Sequence, residues 1–371
     1  MKKITILLFV LFWVGCKDKY DIVLRSTDVS LLVVEGVLDA GTGPTTITLS
    51  KTIKVNDRAV FKPELKAKVS VENRSGNSLS LAESANGNYI NNNLGLVQGQ
   101  EYRLRIKTSN NKEYLSDYVV AKEAPPIDSI TWNKNVDGVM IYANSHDASN
   151  KTRYYKWDFD ETWEIHSYFP AEYEWIGGST IVPSAYTYWK CWKYGSSHTI
   201  NVGSSAQLVS DVISQSPIVL IPNGSEKISV RYSILLRQQA LTKEAYDFYE
   251  LMKKNTESIG TIFDPQPSDL RGNIKCISNP EEGVIGFITA STITQKRIFI
   301  TAGDANWSFL QNCNTERVAN KPEDIRQWVP YYLPYGAEYS PTGSLVAYYF
   351  APATCVDCTK RGGSIQKPSY W

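Results

Sequence analysis

The chain has few of the residues enzymes use to move protons: three histidines, His146, His166 and His198, in 371 residues. So few imidazoles leave few groups that change charge near neutral pH. There is no Gly-x-Ser-x-Gly turn, no His-Glu-x-x-His pattern and no glycine-rich phosphate loop. Those absences remove the common hydrolase, zinc-protease and nucleotide-binding signatures. Charge of one sign is lacking too. Lys and Arg number 39 against 38 Asp and Glu, a net +1, so no field draws in nucleic acid. No apolar run reaches the roughly 20 residues that a membrane-spanning helix requires. One Cys-x-x-Cys occurs, at Cys355 and Cys358, with no second such pair and with the histidines far off in sequence. A four-ligand zinc site is therefore not expected, and no cofactor is.

The N-terminus carries an export signal. Lys2 and Lys3 precede an apolar stretch at residues 4–14, too short to span a bilayer but of signal-peptide length. It ends in Trp13-Val14-Gly15-Cys16, which resembles a bacterial lipobox with Trp13 where Leu is usual. Residues 1–15 read as the signal, Cys16 as the lipid-attachment site and residues 16–27 as a tether. Lys17-Asp18-Lys19 resembles the lysine-then-acidic signal that sends Bacteroidetes-type lipoproteins to the outer face of the outer membrane. The expected location is that membrane, lipid-anchored and facing outward.

Five cysteines remain: Cys191, Cys276, Cys313, Cys355 and Cys358. An odd number leaves one free, and disulfides are permitted outside the cytoplasm. The expected bridges join Cys355 or Cys358 to Cys313, with a further one to Cys191.

The body reads as β. Residues 28–123 contain short alternating runs divided by turn chemistry, for example Tyr102, Leu104 and Ile106 against Arg103, Arg105 and Lys107. This predicts an immunoglobulin-like β-sandwich, with a bulge at Gly36. Pro125-Pro126 marks a boundary. Residues 124–371 read as a second β-sandwich-like domain, starting with a hairpin turned at Asn135-Val136-Asp137-Gly138. It holds an aromatic insertion at about 160–225, one helix at about 241–254 and a cysteine-bearing tail. The helix signal is Thr242 as cap, Glu244 and Asp247 early, Lys253 and Lys254 late, and Ala245, Phe248, Leu251 and Met252 on one face.

Fourteen aromatics fall between Tyr154 and Tyr194. Trp163, Tyr168, Trp175, Tyr188, Trp189 and Trp192 lie in sequence broken by Gly and Pro, and are the candidate ligand or partner contacts; the competing expectation is a small core. Residues 328–339 form a second aromatic group, a candidate lid loop. Asp158/Asp160 and Glu161/Glu164 have the residue type of glycoside chemistry, but on a strand they read as a solvated face. The oxygen-rich segments 158–161 and 279–282 match no EF-hand loop. The expectation is a non-catalytic protein.

Several segments, in order, resemble domain-of-unknown-function family 4249, surface lipoproteins of the Bacteroidetes. They are LVVEGVL at 32–38, ITLSK at 47–51, GQEYRLRI at 99–106 and PPIDSI at 125–130. A long stretch at 234–300 follows, with FDPQPSDLRGNI, NPEEGVIGFITAS and KRIFI, and then the tail CVDCTKRGGSIQKPSYW. The region from Tyr154 to about Ser225 matches least. The resemblance implies a gene beside a TonB-dependent receptor, and so a role as that receptor's accessory in ligand capture or uptake. It brings no catalytic residues. A free-standing adhesin or glycan-binding module is the alternative.

Overall fold

The computed structural model describes residues 30–53, 61–185, 188–257 and 271–371. Cys16, the Lys17-Asp18-Lys19 signal and most of the FDPQPSDLRGNI stretch lie outside the described residues. The structure is mostly β, arranged in several sheets.

The first strands do not form two facing sheets. They form a closed eight-stranded barrel. Around the ring run Glu101–Lys107, Lys68–Asn73, Ser78–Glu83, Asn88–Asn91, Thr45–Lys51 and Leu32–Asp39, all antiparallel neighbours. Thr289–Ser291 then pairs in parallel with Leu32–Asp39 on one side and with Val119–Lys122 on the other. Val119–Lys122 closes the circle on Glu101–Lys107. The expected sandwich over residues 28–123 fails for a physical reason. Alternation along a strand marks which face is buried, and a barrel and a sandwich alternate alike. The closing strand, only three residues long, comes from the region assigned to the second domain. Ile274–Cys276 and Val284–Ile285 belong to this body as well.

Alternate residues point inward: Leu32, Val34 and Leu38 on one strand, Tyr102, Leu104 and Ile106 on another. Each such burial contributes about 1.5–3 kcal/mol. Tyr89 is fully buried, and its hydroxyl donates to the Glu64 carbonyl and accepts from the Ala67 amide, both at 2.9 Å. Gly36 produces no bulge. Its pairing register with Thr45–Lys51 runs unbroken from Leu32↔Lys51 to Gly36↔Ile47. Glycine is required because φ is +139° and a Cβ would collide with the Thr46 carbonyl.

The middle body has two sheets over one core. Ile127–Lys134, Gly138–His146 and Val212–Pro222 form the first. The turn from Asn135 to Gly138 closes as the sequence indicates, with the Asn135 amide donating to the Gly138 carbonyl at 2.8 Å. Lys190–Ser196, Tyr154–His166, Arg231–Ala240 and Thr294–Thr301, with Asn201–Ser204, form the second. Ile130, Val139, Ile141 and Ile221 of one share a core with Tyr155, Trp157, Tyr232, Leu236 and Ile300 of the other. The buried Trp157 indole donates to Gln238 at 2.8 Å, so its polar edge is satisfied.

A helix at Lys243–Glu257 follows Arg231–Ala240. The Thr242 hydroxyl accepts from the Ala245 amide at 3.2 Å, the expected cap. It is not the sole helix: Pro322–Trp328 and Ala353–Val356 are short α-helices as well.

A third body gathers at the chain end. Glu316–Ala319, Leu345–Pro352 and Tyr332–Tyr339 make a three-stranded sheet. The hairpin Tyr173–Gly177 with Thr180–Pro183 leaves the middle body to join it. Tyr332–Tyr339 is thus a strand, not the lid loop expected from its aromatics. The excursion is also shorter than expected: Tyr154–His166 and Lys190–Ser196 are paired strands of the middle body, and the residues between them reach across.

Candidate functional site

The third body is built from sequence that lies far apart. Phe169 stacks on Tyr335 with ring centres 4.0 Å apart and planes 14° off parallel. The Phe169 amide donates to the Cys355 carbonyl at 3.0 Å and the Glu172 amide to the Tyr335 carbonyl at 3.0 Å. The Tyr173 and Tyr339 hydroxyls meet at 2.5 Å. That hydrogen bond, with a little burial, pushes the Tyr173 phenol up to about 12.

Two disulfides fasten it. Cys313 joins Cys355, with Cα atoms 5.9 Å apart, and Cys191 joins Cys358 at 5.8 Å. The alternatives for Cys313 resolve to Cys355, and among the described residues Cys276 is the free thiol, and it is buried. The Cys-x-x-Cys thus serves two partners. Ala353–Val356 presents Cys355 to the loop before Glu316–Ala319, and the next turn, Cys358–Arg361, presents Cys358 to Lys190–Ser196.

The six nominated aromatics divide. Trp163 and Trp192 are buried at 9% and 7% exposure, so they are core. Tyr168 is exposed and packs edge-on against Phe169. Trp175, Tyr188 and Trp189 come together around a cavity of about 150 Å³. Tyr173, Glu174, Leu333 and Asp357 are among the other residues of its walls. Sequence reasoning missed these, although Tyr173 stands in the same aromatic run and Asp357 inside the Cys-x-x-Cys.

The wall is held from behind. Ser167 takes the Trp189 carbonyl at 2.8 Å through its amide and the Tyr188 carbonyl at 3.1 Å through its hydroxyl. The Cys358 amide donates to the Tyr188 carbonyl at 3.0 Å. The Trp175 indole donates to the Gly178 carbonyl at 3.1 Å, fixing its ring on the hairpin turn. Asp357 uses one carboxylate oxygen to hold the Thr359 amide and hydroxyl, at 2.8 and 2.6 Å. The result is a small recess with aromatic sides and two carboxylates, Glu174 and Asp357.

Of the paired carboxylates on Tyr154–His166, Asp158 borders a cavity beside the helix Lys243–Glu257, and each of the four has a basic neighbour. Glu161 is buried, ion-paired with Lys227 and accepting from the Tyr232 hydroxyl at 3.0 Å. Glu164 meets His166 at 2.6 Å and accepts from the Trp371 indole at 2.9 Å. The His166 contact holds the Glu164 carboxyl below its usual value against the opposing effect of burial, with Trp371 adding to it. Asp158 binds Lys156, and Asp160 binds Arg237. His146 pairs with Asp128 at 2.8 Å rather than with its neighbour Asp147.

The architecture defines a class: a multi-body β protein with a closed barrel and a disulfide-fastened aromatic recess. Residues 17–297 match the family model described as a domain of unknown function, DUF4249, and the chain belongs to that family. Comparison with curated proteins finds no match. The family match stops at residue 297, midway along Thr294–Thr301, so the three-stranded sheet and both tail cysteines lie beyond it.

Proposed function

We propose that the protein is a non-catalytic lipoprotein of the outer-membrane surface that assists a TonB-dependent receptor in capturing or retaining a ligand. Cys16 would carry the lipid, and the third body would make the contact. The supporting observation is the convergence of Trp175, Tyr188 and Trp189 on one recess in the body that both disulfides brace. Braced aromatics lose little freedom on binding, which suits them to contact surfaces. The lipid confines the protein near its receptor and raises the effective concentration. The non-catalytic reading is supported by the carboxylates of Tyr154–His166, each occupied by its own basic neighbour.

Detergent pull-down from the native membrane tests the reading. The wild-type protein is expected to bring down a receptor barrel, and Trp175→Ala with Trp189→Ala to lose it with little change in melting temperature. Trp163→Ala is the contrast, since truncating a buried Trp costs about 3–5 kcal/mol. Recovery of no barrel by the wild type defeats the accessory role. The adhesin or glycan-binding alternative has its own support. Aromatic faces beside Glu174 and Asp357 suit a sugar ring, whose hydroxyls would donate to the carboxylates. Glycan-array binding without a receptor would select it.

A further inference from the structure

A second and larger cavity, about 370 Å³, lies where the barrel wall, the middle body and the helix Lys243–Glu257 meet. It is independent of the aromatic recess and of the receptor reading. Its origin is a gap in the barrel seam. Leu32–Asp39 pairs with the returning chain at Val33↔Ile285 and again at Val37↔Thr289, and the three positions between are unpaired. Gly36 and Gly286 sit in that gap with φ of +139° and +141°. A Cβ on Gly286 would collide with the Val34 carbonyl. The Asn273 side chain takes over for the missing partner, bonding the Ile288 amide and carbonyl at 2.8 and 2.9 Å. The opening is thus hydrogen-bonded and built into the wall.

The cavity is apolar on one side and charged on the other. Val37, Phe248, Met252 and Phe287 supply the apolar side. Glu35, Lys156, Asp158, Gln239 and Tyr249 supply the polar side. The Lys156 ammonium is committed to Asp158, at 2.7 and 2.6 Å from its two oxygens. The buried Gln239 amide donates to the same carboxylate at 3.2 Å, which fixes it in place. Glu35 points outward from the barrel into this space. Its carboxylate has no hydrogen-bond or ion partner among the described residues. Two carboxylates face one ammonium, so the lining carries one uncompensated negative charge. Burial first, then the carboxylates of Asp158 and Glu35, push the Tyr249 phenol far up, so it stays protonated as a donor.

We propose that this cavity binds a small organic cation, an amine on an aromatic or aliphatic body. The ammonium lies toward Glu35 and Asp158, and the body packs on Phe248, Met252 and Phe287. The volume is within the range of small-molecule sites, about 300–1,000 Å³. The charge supplies selectivity and the apolar wall supplies most of the affinity.

The test uses the full-length protein in detergent with three probes of similar shape: 2-phenylethylamine, 2-phenylethanol and 3-phenylpropionate. Ligand-observed NMR titration is expected to show saturable amine binding, at least about tenfold tighter than the alcohol, with the acid weakest. Raising the salt should narrow the gap, because Glu35 is exposed. Glu35→Gln should bring the amine down to the alcohol's affinity and leave the alcohol unchanged. Val37→Trp should fill the space and abolish both, with circular dichroism and melting temperature reporting that the protein is folded. Equal binding of amine and alcohol, no saturable amine binding, or amine binding that survives in folded Val37→Trp would overturn the proposal.

Discussion

The barrel and the third body solve the same problem of holding together in different ways. The barrel encloses a continuous core, with Leu32, Ile47, Leu49, Leu104 and Ile106 all fully buried, and its ring leaves no free edge among its eight strands. The third body has two small clusters. One holds Val318, Ile325, Tyr348 and Phe350, the other Ala351, Cys355 and Val356. A body of that size buries too little apolar surface to stand alone, and covalent links make up the difference. It also joins segments separated by 167 and 42 residues, so without the links each joint would have to close a long loop by contacts alone. The aromatic recess is in the body that the disulfides fasten, and the seam cavity is in the wall of the barrel, whose Cys276 is unbridged.

Removing both disulfides should break this contrast most sharply. Cys191→Ser and Cys313→Ser together are expected to cost about 4 kcal/mol or more, concentrated in the third body. Hydrogen exchange should show Tyr332–Tyr339 and Leu345–Pro352 opening while Lys68–Asn73 and Glu101–Lys107 stay protected. Taken singly, loss of Cys191–Cys358 should cost about 1 kcal/mol more than loss of Cys313–Cys355, by the loop-length dependence alone. Uniform destabilisation of barrel and third body would mean the two are not separable.

Leu104→Ala is the complementary change. It empties a site with 1% exposure in the barrel core and should cost about 3 kcal/mol in chemical denaturation. The effect should be the same under oxidising and reducing conditions. A larger loss in the reduced protein would show the barrel leaning on the disulfides.

The smallest effect concerns acid. The Glu164 carboxyl is held down in the folded protein, chiefly by His166 and then by Trp371. Its contribution is therefore present above the unfolded carboxyl value, about 4.3, and is lost as pH falls through the lower folded value. Between pH 5 and pH 3 the chain end at Trp371 should loosen before the barrel strands do, as exchange of the 364–371 amides will report. Loosening that sets in instead above pH 5 would rule out Glu164 as its origin.

Much of this molecule was legible from the sequence, and unevenly so. Strand faces followed from alternation, and the helix from the Thr242 cap and its apolar face. The disulfide cysteines were nominated correctly, with Cys276 left over. Barrel closure was not legible, because it hinges on a three-residue strand, Thr289–Ser291, that carries no periodic signal of its own. The helix Pro322–Trp328 did leave a trace, with proline in its first turn followed by Glu323 and Asp324. Within the aromatic run, density showed where to look but not which rings face out. Trp163 could have been sorted: the inward series Tyr155, Trp157 and Phe159 reaches it at the same spacing. Trp175, Tyr188 and Trp189 could not, since their meeting depends on Leu333 and Asp357 arriving from more than a hundred residues away.

The position of the closing strand sets an order of events. A ribosome delivers Val119–Lys122 long before Thr289–Ser291, with roughly 170 residues between them, and at 5–20 residues per second that interval is roughly ten to thirty seconds. Until Thr289–Ser291 is in place the ring has seven staves and two raw edges. Most of the middle body is made within that wait, and its last strand, Thr294–Thr301, follows directly on the closing one. A chain stopped before residue 289 would present sticky edges to its neighbours, and a holding chaperone would find its binding surface there.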